Sequence, residues 1–314
     1  MIDARGFIAE LKRNIAKVIV GKDYAIELAL ISLLCKGHIL IEDVPGTGKT
    51  TMASALARSL DCSFKRIQFT PDVVPSDITG FTSVNMRTGE LDFHKGSIMS
   101  QIVLADEINR TSPKTQSSLL EAMEEYQVTV DGVTHALPKP FMVLATQNPN
   151  EFVGTYPLPE AQLDRFFMRI NLGYPTIEEE IDVLNRYTGT ENPLTNLTAV
   201  CHARDIIQMQ SLIGNVYCSP EIKEYAARIA KATREHPMLA LGCSTRALIA
   251  LLKAGQACAI LDGRDYVLPD DIDSMVLPVL CHRMQPTPDT KMKGYTTEQI
   301  MKQIMGVIQV PMPV

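Results

Sequence analysis

Residues Glu42 to Thr51 read EDVPGTGKTT, a run of residue types that can hold phosphate. Such a loop wraps backbone N–H groups round an anion at the start of a helix, and glycines let the backbone come close at positive φ. A lysine adds a point charge at the β- and γ-phosphates, and a hydroxyl binds magnesium. Gly46, Gly48, Lys49 and Thr50 supply these parts, Pro45 stiffens the approach, and Thr47 and Thr51 belong to the same run. The usual first glycine is replaced by Asp43. That glycine mostly helps the chain leave a strand, and aspartate tolerates the left-handed region, so the loop is expected to survive.

A second stretch, IVLADEINR from Ile102 to Arg110, is an apolar strand ending in two acids. Charges at the end of a buried parallel strand face a ligand crevice. Asp106 is then placed to hold magnesium through water, and Glu107 to orient and deprotonate a water. Solvated acids at an ordinary strand end are the alternative, and the phosphate loop upstream tips the reading to paired chemistry. In VLATQNPN, Val143 to Asn150, Asn148 can reach an attacking water or a γ-phosphate, although pattern alone favours a cap before Pro149. Taken singly, Arg165 reads as a surface ion pair and Arg246 as a charge at a helix start. Met123, Met142 and Met168 read as core packing.

The elements that must position these residues follow from periodicity. Residues 3 to 18 and the run from Tyr24 to Cys35 read as helices, and Lys49 to Leu60 as a third. Short apolar runs at 38–41, 63–69, 102–105, 141–145 and 167–172 read as strands. Apolar strands alternating with helices predict an α/β fold with a parallel sheet covered on both faces. Asp131-Gly132 between alternating valines predicts a hairpin over 128–136, and a second is predicted over 82–95 with Thr88-Gly89 at its turn. After Tyr174-Pro175 only helices are predicted, over 178–187, 202–212, 220–234, 245–261 and 270–282. The domain boundaries expected are a core over 1–174, a linker over 175–198 whose most polar part is Thr190 to Thr198, and a helical domain over 199–314.

Bulk properties narrow the function. The 314 residues are 46% hydrophobic and 21% charged, with a net charge of -6. That balance gives no domain-wide basic face and argues against bulk nucleic-acid binding. The run from Tyr24 to Cys35 is shorter than the roughly 20 residues that span a bilayer, so no membrane insertion is expected. The seven cysteines form no C-x-x-C pair. Without an apolar leader they are expected to be reduced thiols in the cytoplasm. In Cys201-His202 and Cys281-His282 the cysteines read as ordinary buried thiols rather than metal ligands.

Taken together, EDVPGTGKT, LADEINRTSPKTQSSLLEAMEE, ATQNPNEFVGTYPLPEAQLDRF and GCSTRA resemble the AAA+ ATPases, and within them the MoxR family, over nearly the whole chain. The resemblance implies a P-loop core with a parallel five-stranded sheet and an all-helical C-terminal lid. It implies ATP and Mg2+ as ligands, held by Lys49, Thr50 and Asp106, with Glu107 as the carboxylate that activates water. It also implies Asn148 as sensor 1, Arg165 as a finger reaching a neighbour's ATP, Arg246 as sensor 2 on the lid, and Val20-Gly21 against adenine. Arg110 stands beside the acidic pair and ranks below Arg165 for an interface role. A homo-oligomeric ring, hexameric by resemblance, is expected to act on client proteins, among them proteins with a von Willebrand A domain. A DNA-handling motor and a nucleotide-gated scaffold are the rival readings. Gly96-Ser97-Ile98 departs from the family's Gly-Pro at that turn.

Overall fold

The computed structural model describes residues 4–148, 154–189 and 192–311. Asp3 in the first predicted helix, Pro149 and Asn150 after the third polar strand end, and Thr190 at the head of the polar part of the predicted linker lie outside the described residues.

Helices α1 (Ala4–Ala16) and α2 (Asp23–Leu34) open the chain, followed by β1 (Ile39–Glu42), α3 (Lys49–Ser59) and β2 (Phe64–Gln68). A short α4 (Pro75–Thr79) leads into the hairpin of β3 (Gly80–Val84) and β4 (Leu91–Lys95). Then come β5 (Ile102–Asp106), α5 (Pro113–Glu125) and the second hairpin, β6 (Gln127–Val130) with β7 (Val133–Ala136). The core ends with β8 (Met142–Gln147), α6 (Glu160–Leu163) and β9 (Met168–Ile170), and α7 (Ile177–Tyr187) follows within the stretch expected as linker. The helical part comprises α8 (Ala203–Leu212), α9 (Pro220–Glu235), α10 (Thr245–Leu261), α11 (Pro269–Leu280), α12 (Pro288–Met292) and α13 (Thr297–Met305). It also holds an antiparallel pair, β10 (Leu239–Leu241) with β11 (Gln285–Pro286), which periodicity does not reveal because each strand is so short.

The main sheet has five parallel strands in the order β2-β5-β8-β1-β9. The three inner strands, β5, β8 and β1, are continuous apolar runs because both faces are covered, whereas the edge strands β2 (FKRIQ) and β9 (MRI) carry polar residues. Alternate residues feed two cores. Ile39, Ile41, Leu104 and Leu144 join the core built with α1, α2, α3 and the C-terminal helices. Leu40, Val103, Ala105 and Val143 join a second core with Leu119, Leu120 and Met123 of α5. Truncating one such residue, as in Leu104→Ala, costs about 2–5 kcal/mol. Helix α2 is buried nearly all round because it packs against α1, α8 and α10. Parallel strands put every strand C-terminus at one end of the sheet, and that end receives the phosphate loop, Gln68, Asp106 and Gln147.

Ser112 caps α5 by accepting the Thr115 N–H, with Pro113 in the first turn, as its sequence predicts. In the 128–136 hairpin, Asp131 and Gly132 take φ 49° and 79°, the left-handed pair that suits a two-residue hairpin turn. Stacked rings of Phe93 and His135, 3.8 Å between centroids, join the two hairpins. The Gly96-Ser97-Ile98 turn uses an N–H that proline lacks, since Ser97 N–H donates to Asp77 O at 3.0 Å. A Cβ on Gly96 would lie 2.1 Å from Ile78 O, so only glycine fits there.

No described helix is long and apolar enough to cross a membrane. The seven cysteines are free, and burial pushes the thiols of Cys62, Cys201, Cys258 and Cys281 up to about 12. His202 Nδ1 lies 2.9 Å from Asp61 and His282 Nε2 meets Phe166 O. Among the described residues no group of three or more His, Cys, Asp or Glu gathers to hold a metal.

Candidate active site

The phosphate loop turns from the end of β1 into α3 through Gly46 and Gly48, at φ 85° and 88°. Open space surrounds the position of a Cβ on either glycine, so backbone conformation rather than crowding demands them. Asp43 does not take the left-handed conformation that sequence reasoning allowed it. Its carboxylate is a tie instead. Oδ2 accepts the N–H groups of Leu172 and Gly173 at 2.9 and 2.8 Å, and Oδ1 accepts Val44 N–H at 2.9 Å. The loop is thereby fastened to the chain leaving β9. Lys49 Nζ donates to Asp43 O and Val44 O at 2.9 and 3.1 Å, which stretches the ammonium across the loop.

The loop opens on a cavity of about 410 Å³ lined by Pro45, Gly46, Gly48, Lys49, Thr50, Thr51, Arg66, Gln68, Asp106, Glu107, Thr146 and Asn148. The two predicted acidic groups, the loop and Asn148 thus meet in one place. Thr47 is buried under the loop, its hydroxyl bonded to Val44 O, and does not line the cavity. Val20 and Gly21 also stand outside that lining. The next residue, Lys22, donates from Nζ to Tyr174 O in the segment after β9.

Three lining residues were invisible to the motif search. Thr146 Oγ1 donates to Asp106 Oδ1 at 2.6 Å and accepts Glu107 N–H at 2.9 Å. One buried hydroxyl therefore aligns both acids. Arg66 holds Asp106 Oδ2 through Nη2 at 2.5 Å and Nε at 3.1 Å, and also donates to Gln68 at 2.8 Å. Gln68 Nε2 donates to Glu107 Oε2 at 2.8 Å, and Arg110 Nε lies 3.3 Å from the same oxygen. Glu107 itself sits at φ 58°, ψ 49°, a left-handed backbone that costs a non-glycine residue about 1–3 kcal/mol and recurs at functional sites. Polar residues in a strand, as in FKRIQ of β2, mark Arg66 and Gln68 in sequence, but nothing there names their partners.

The donor set suits a magnesium-bound triphosphate. Thr50 and Asp106 offer hard oxygens of the kind magnesium takes, Lys49 offers the balancing cation, and the N-terminus of α3 faces the same space.

Arg165 and Arg246 do not reach this cavity. They meet at the other end of the sheet, where β1 and β9 begin. Arg165 Nη1 lies 2.9 Å from Glu124 Oε2 and donates to Leu120 O at 3.1 Å, and Arg246 Nη2 pairs with Glu124 Oε1. Both line a second cavity of about 350 Å³ with Lys36, Lys253, Asp164 and Arg283. The lid is pinned at both ends of the sheet: Arg169 of β9 bridges Glu42 and Glu298 of α13 at one, and Arg283 and Ser244 hold residues 164–167 at the other.

Residues 38–168 match a family described as "ATPase family associated with various cellular activities (AAA)", and residues 231–304 match an AAA lid domain. The chain is 51% identical over 309 residues to the Bacillus subtilis protein named "Uncharacterized protein YeaC", covering 98% of this chain and 96% of that one. It is 38% identical to "Chaperone MoxR1" of Mycobacterium tuberculosis, covering 95% and 81%. A crystal structure from Cytophaga hutchinsonii superposes with a TM-score of 0.92 at 39% identity, covering 98% of this chain and 96% of that one.

Proposed function

Because the chain belongs to the MoxR family of AAA+ ATPases, and so is an ATP-hydrolysing enzyme, we infer that it works as a ring whose active sites are completed by neighbouring copies. The observation that carries this is the separation of its parts. Phosphate loop and acids lie at the strand C-termini, while Arg165 and Arg246 lie together at the strand N-termini of the same chain. A transferring phosphoryl group develops charge that a well-placed arginine can stabilise by ~10³ to 10⁵ in rate. Neither arginine can do so within its own copy, so each serves the copy next to it. Both pair with a single half-buried carboxylate, and exposed ion pairs of this kind contribute only about 0–1 kcal/mol. Exchanging Glu124 for a phosphate oxygen therefore costs little.

Within the site, the loop N–H groups and Lys49 bind the phosphates, and Thr50 with Asp106 would hold magnesium. The metal, when bound, neutralises charge on the phosphate oxygens and orients them for in-line attack. Glu107 takes the proton of the attacking water, which Asn148 helps to orient. Thr146 keeps both acids aligned. Arg66 must release Asp106 when the metal enters, and Gln68 keeps the Glu107 carboxylate turned aside until the site fills. Val20-Gly21, next to the segment that Asp43 ties down, is the adenine side of the site.

The two joined hairpins expose Phe81, Val84, Met86, Leu91 and Val133. They are the surface that acts on a client protein, a chaperone-like action in keeping with the name of the mycobacterial relative. Proteins with a von Willebrand A domain are the first clients to test. The core over 1–174, the linker over 175–198 and the lid over 199–314 move as the units of this motor.

The test is assembly together with complementation. Glu107→Gln with Mg·ATP should sediment as a closed oligomer, a hexamer by family resemblance, and turn over little. Mixing Lys49→Ala with Arg165→Ala, each inactive alone, should restore phosphate release. A chain that stays monomeric at saturating Mg·ATP, or a mixture that assembles yet stays inactive, would overturn the reading.

A further inference from the structure

Arg283 is a costly residue that no part of the proposed chemistry explains. Only 3% of its side chain is exposed, and its Nη1 has no hydrogen-bond partner. Its nearest carboxylate oxygen, Asp164 Oδ1, is 3.5 Å from Nε. A buried guanidinium so incompletely paired does not repay its desolvation, so stability alone does not account for it. Burial brings its pKa down only to about 10, so it stays charged at neutral pH.

What Arg283 does hold is specific. Nη2 donates to Phe166 O at 2.6 Å and reaches Phe167 O at 3.4 Å. The adjacent His282 donates to the same Phe166 oxygen at 3.0 Å in the tautomer with the proton on Nε2, which leaves Arg283 Nε, 3.3 Å from that nitrogen, without an acceptor there. Ser244, the N-cap of α10, donates to both Asp164 oxygens at 3.2–3.3 Å while accepting Ala247 N–H. All three grips come from the helical domain, two from the turn after α11 and one from the start of α10. All fall on residues 164 and 166, the neighbours of Arg165. Arg165 itself points away to Leu120 O and Glu124 on α5. The two backbone bonds to Phe166 and the carboxylate clamp on Asp164 fix the Cα of Arg165 from both sides.

We propose that Arg283 is a positioning residue for Arg165, fastening the 164–166 segment to the lid so that lid angle sets where Arg165 is presented to the neighbouring copy. The proposal rests on the reading that Arg165 acts in trans. It makes lid position something the next site can read, through one guanidinium. A displacement near 1 Å in a catalytic group can cost on the order of 10²-fold in rate, so the segment need not move far.

The experiment is complementation read beside stability. Arg283→Met keeps the volume apolar and should melt near the parent. It should bind nucleotide with unchanged Kd, since its own phosphate loop is untouched. Its phosphate release should fall on the order of 10²-fold. Mixed with Lys49→Ala, whose arginine segment is intact, it should recover at least tenfold over either variant alone. A defect that is merely structural gives no such rescue. Arg165→Ala mixed with Lys49→Ala is the control. If the control recovers and the Arg283→Met mixture does not, the proposal falls while the trans reading stands; if the control fails, the trans reading itself falls. Asp164→Asn, at a partly exposed position, reads the same clamp should Arg283→Met not fold. It should lose about tenfold and be rescued likewise, and parental turnover in Asp164→Asn would equally overturn the proposal.

Discussion

Replacing Asp43 by glycine restores the usual residue of a phosphate loop, and the structure predicts that this restoration does harm. The Asp43 side chain accepts three backbone N–H groups, two of them from Leu172 and Gly173 across more than a hundred residues of chain. A hydrogen bond to a charged acceptor contributes about 1.5–3 kcal/mol, and an N–H left buried without a partner carries a penalty of about 1–3 kcal/mol. Only the Leu172 bond is fully buried, and the local Val44 N–H can turn to water. Discounting for that and for non-additivity leaves about 3 kcal/mol lost in Asp43→Gly. Glycine adds freedom to the unfolded chain in the same direction. Asp43→Asn keeps an acceptor oxygen without the charge and should lose about half as much. Lys49 Nζ rests on Asp43 O and Val44 O, so loosening the loop should also weaken nucleotide binding, by about tenfold if 1.4 kcal/mol of the loss falls on the bound geometry. Urea denaturation of the free protein and titration with a fluorescent ATP analogue measure the two effects. An Asp43→Gly chain as stable as its parent and binding nucleotide equally well would refute the reasoning.

Thr146→Val preserves shape but strips the hydroxyl shared by Asp106 and Glu107 N–H. Steady-state kinetics should show kcat lowered about 10- to 100-fold with nucleotide Kd nearly unchanged, and denaturation a stability loss of about 1–3 kcal/mol. Glu107→Gln should retain ATP binding by equilibrium titration while phosphate release all but stops, whereas Lys49→Ala should lose the binding itself. His38 is buried, accepts Val143 N–H at Nδ1 and sits with Nε2 on Met123 O; burial lowers its pKa from 6.5 to about 4. The folded chain therefore refuses a proton that the unfolded chain takes up below pH 6.5, so stability is full above that pH and is lost as pH falls toward 4. The loss amounts to about 3 kcal/mol, and urea midpoints between pH 7 and 4 should fall less steeply in His38→Gln.

Strands β1, β5 and β8 were legible because each is a buried apolar run of ordinary strand length, the edge strands β2 and β9 because they alternate with helices, and the 128–136 hairpin because its turn chemistry is local. The loop, Asp106 and Glu107 were legible because each follows the end of a strand and parallel strands end together, whereas Asn148, which pattern alone reads as a cap, was placed by resemblance. What escaped was whatever depends on distant partners. Asp43 reads as a flaw until Leu172 is beside it. Thr146 looks like one more strand residue until β8 lies next to β5. The left-handed backbone of Glu107 has no signature in a glutamate. Sequence reasoning put Arg165 and Arg246 in separate motifs, and nothing in either motif says that Glu124 joins them. The cavity lining likewise leaves out Val20 and Gly21, whose assignment came from resemblance alone.

A protomer with its socket at one end of a sheet and its plug at the other is polar, like a bead with a hook and an eye. In the ring proposed for it such contacts would be heterologous, with copies stacked head to tail rather than face to face. An open string of copies always carries one eye without a hook, whereas closing the circle fills the last one. Specific activity should therefore climb with protein concentration more steeply than occupancy does, and level off once circles dominate. The small rotation between successive copies decides whether the string bites its own tail or runs on as a filament.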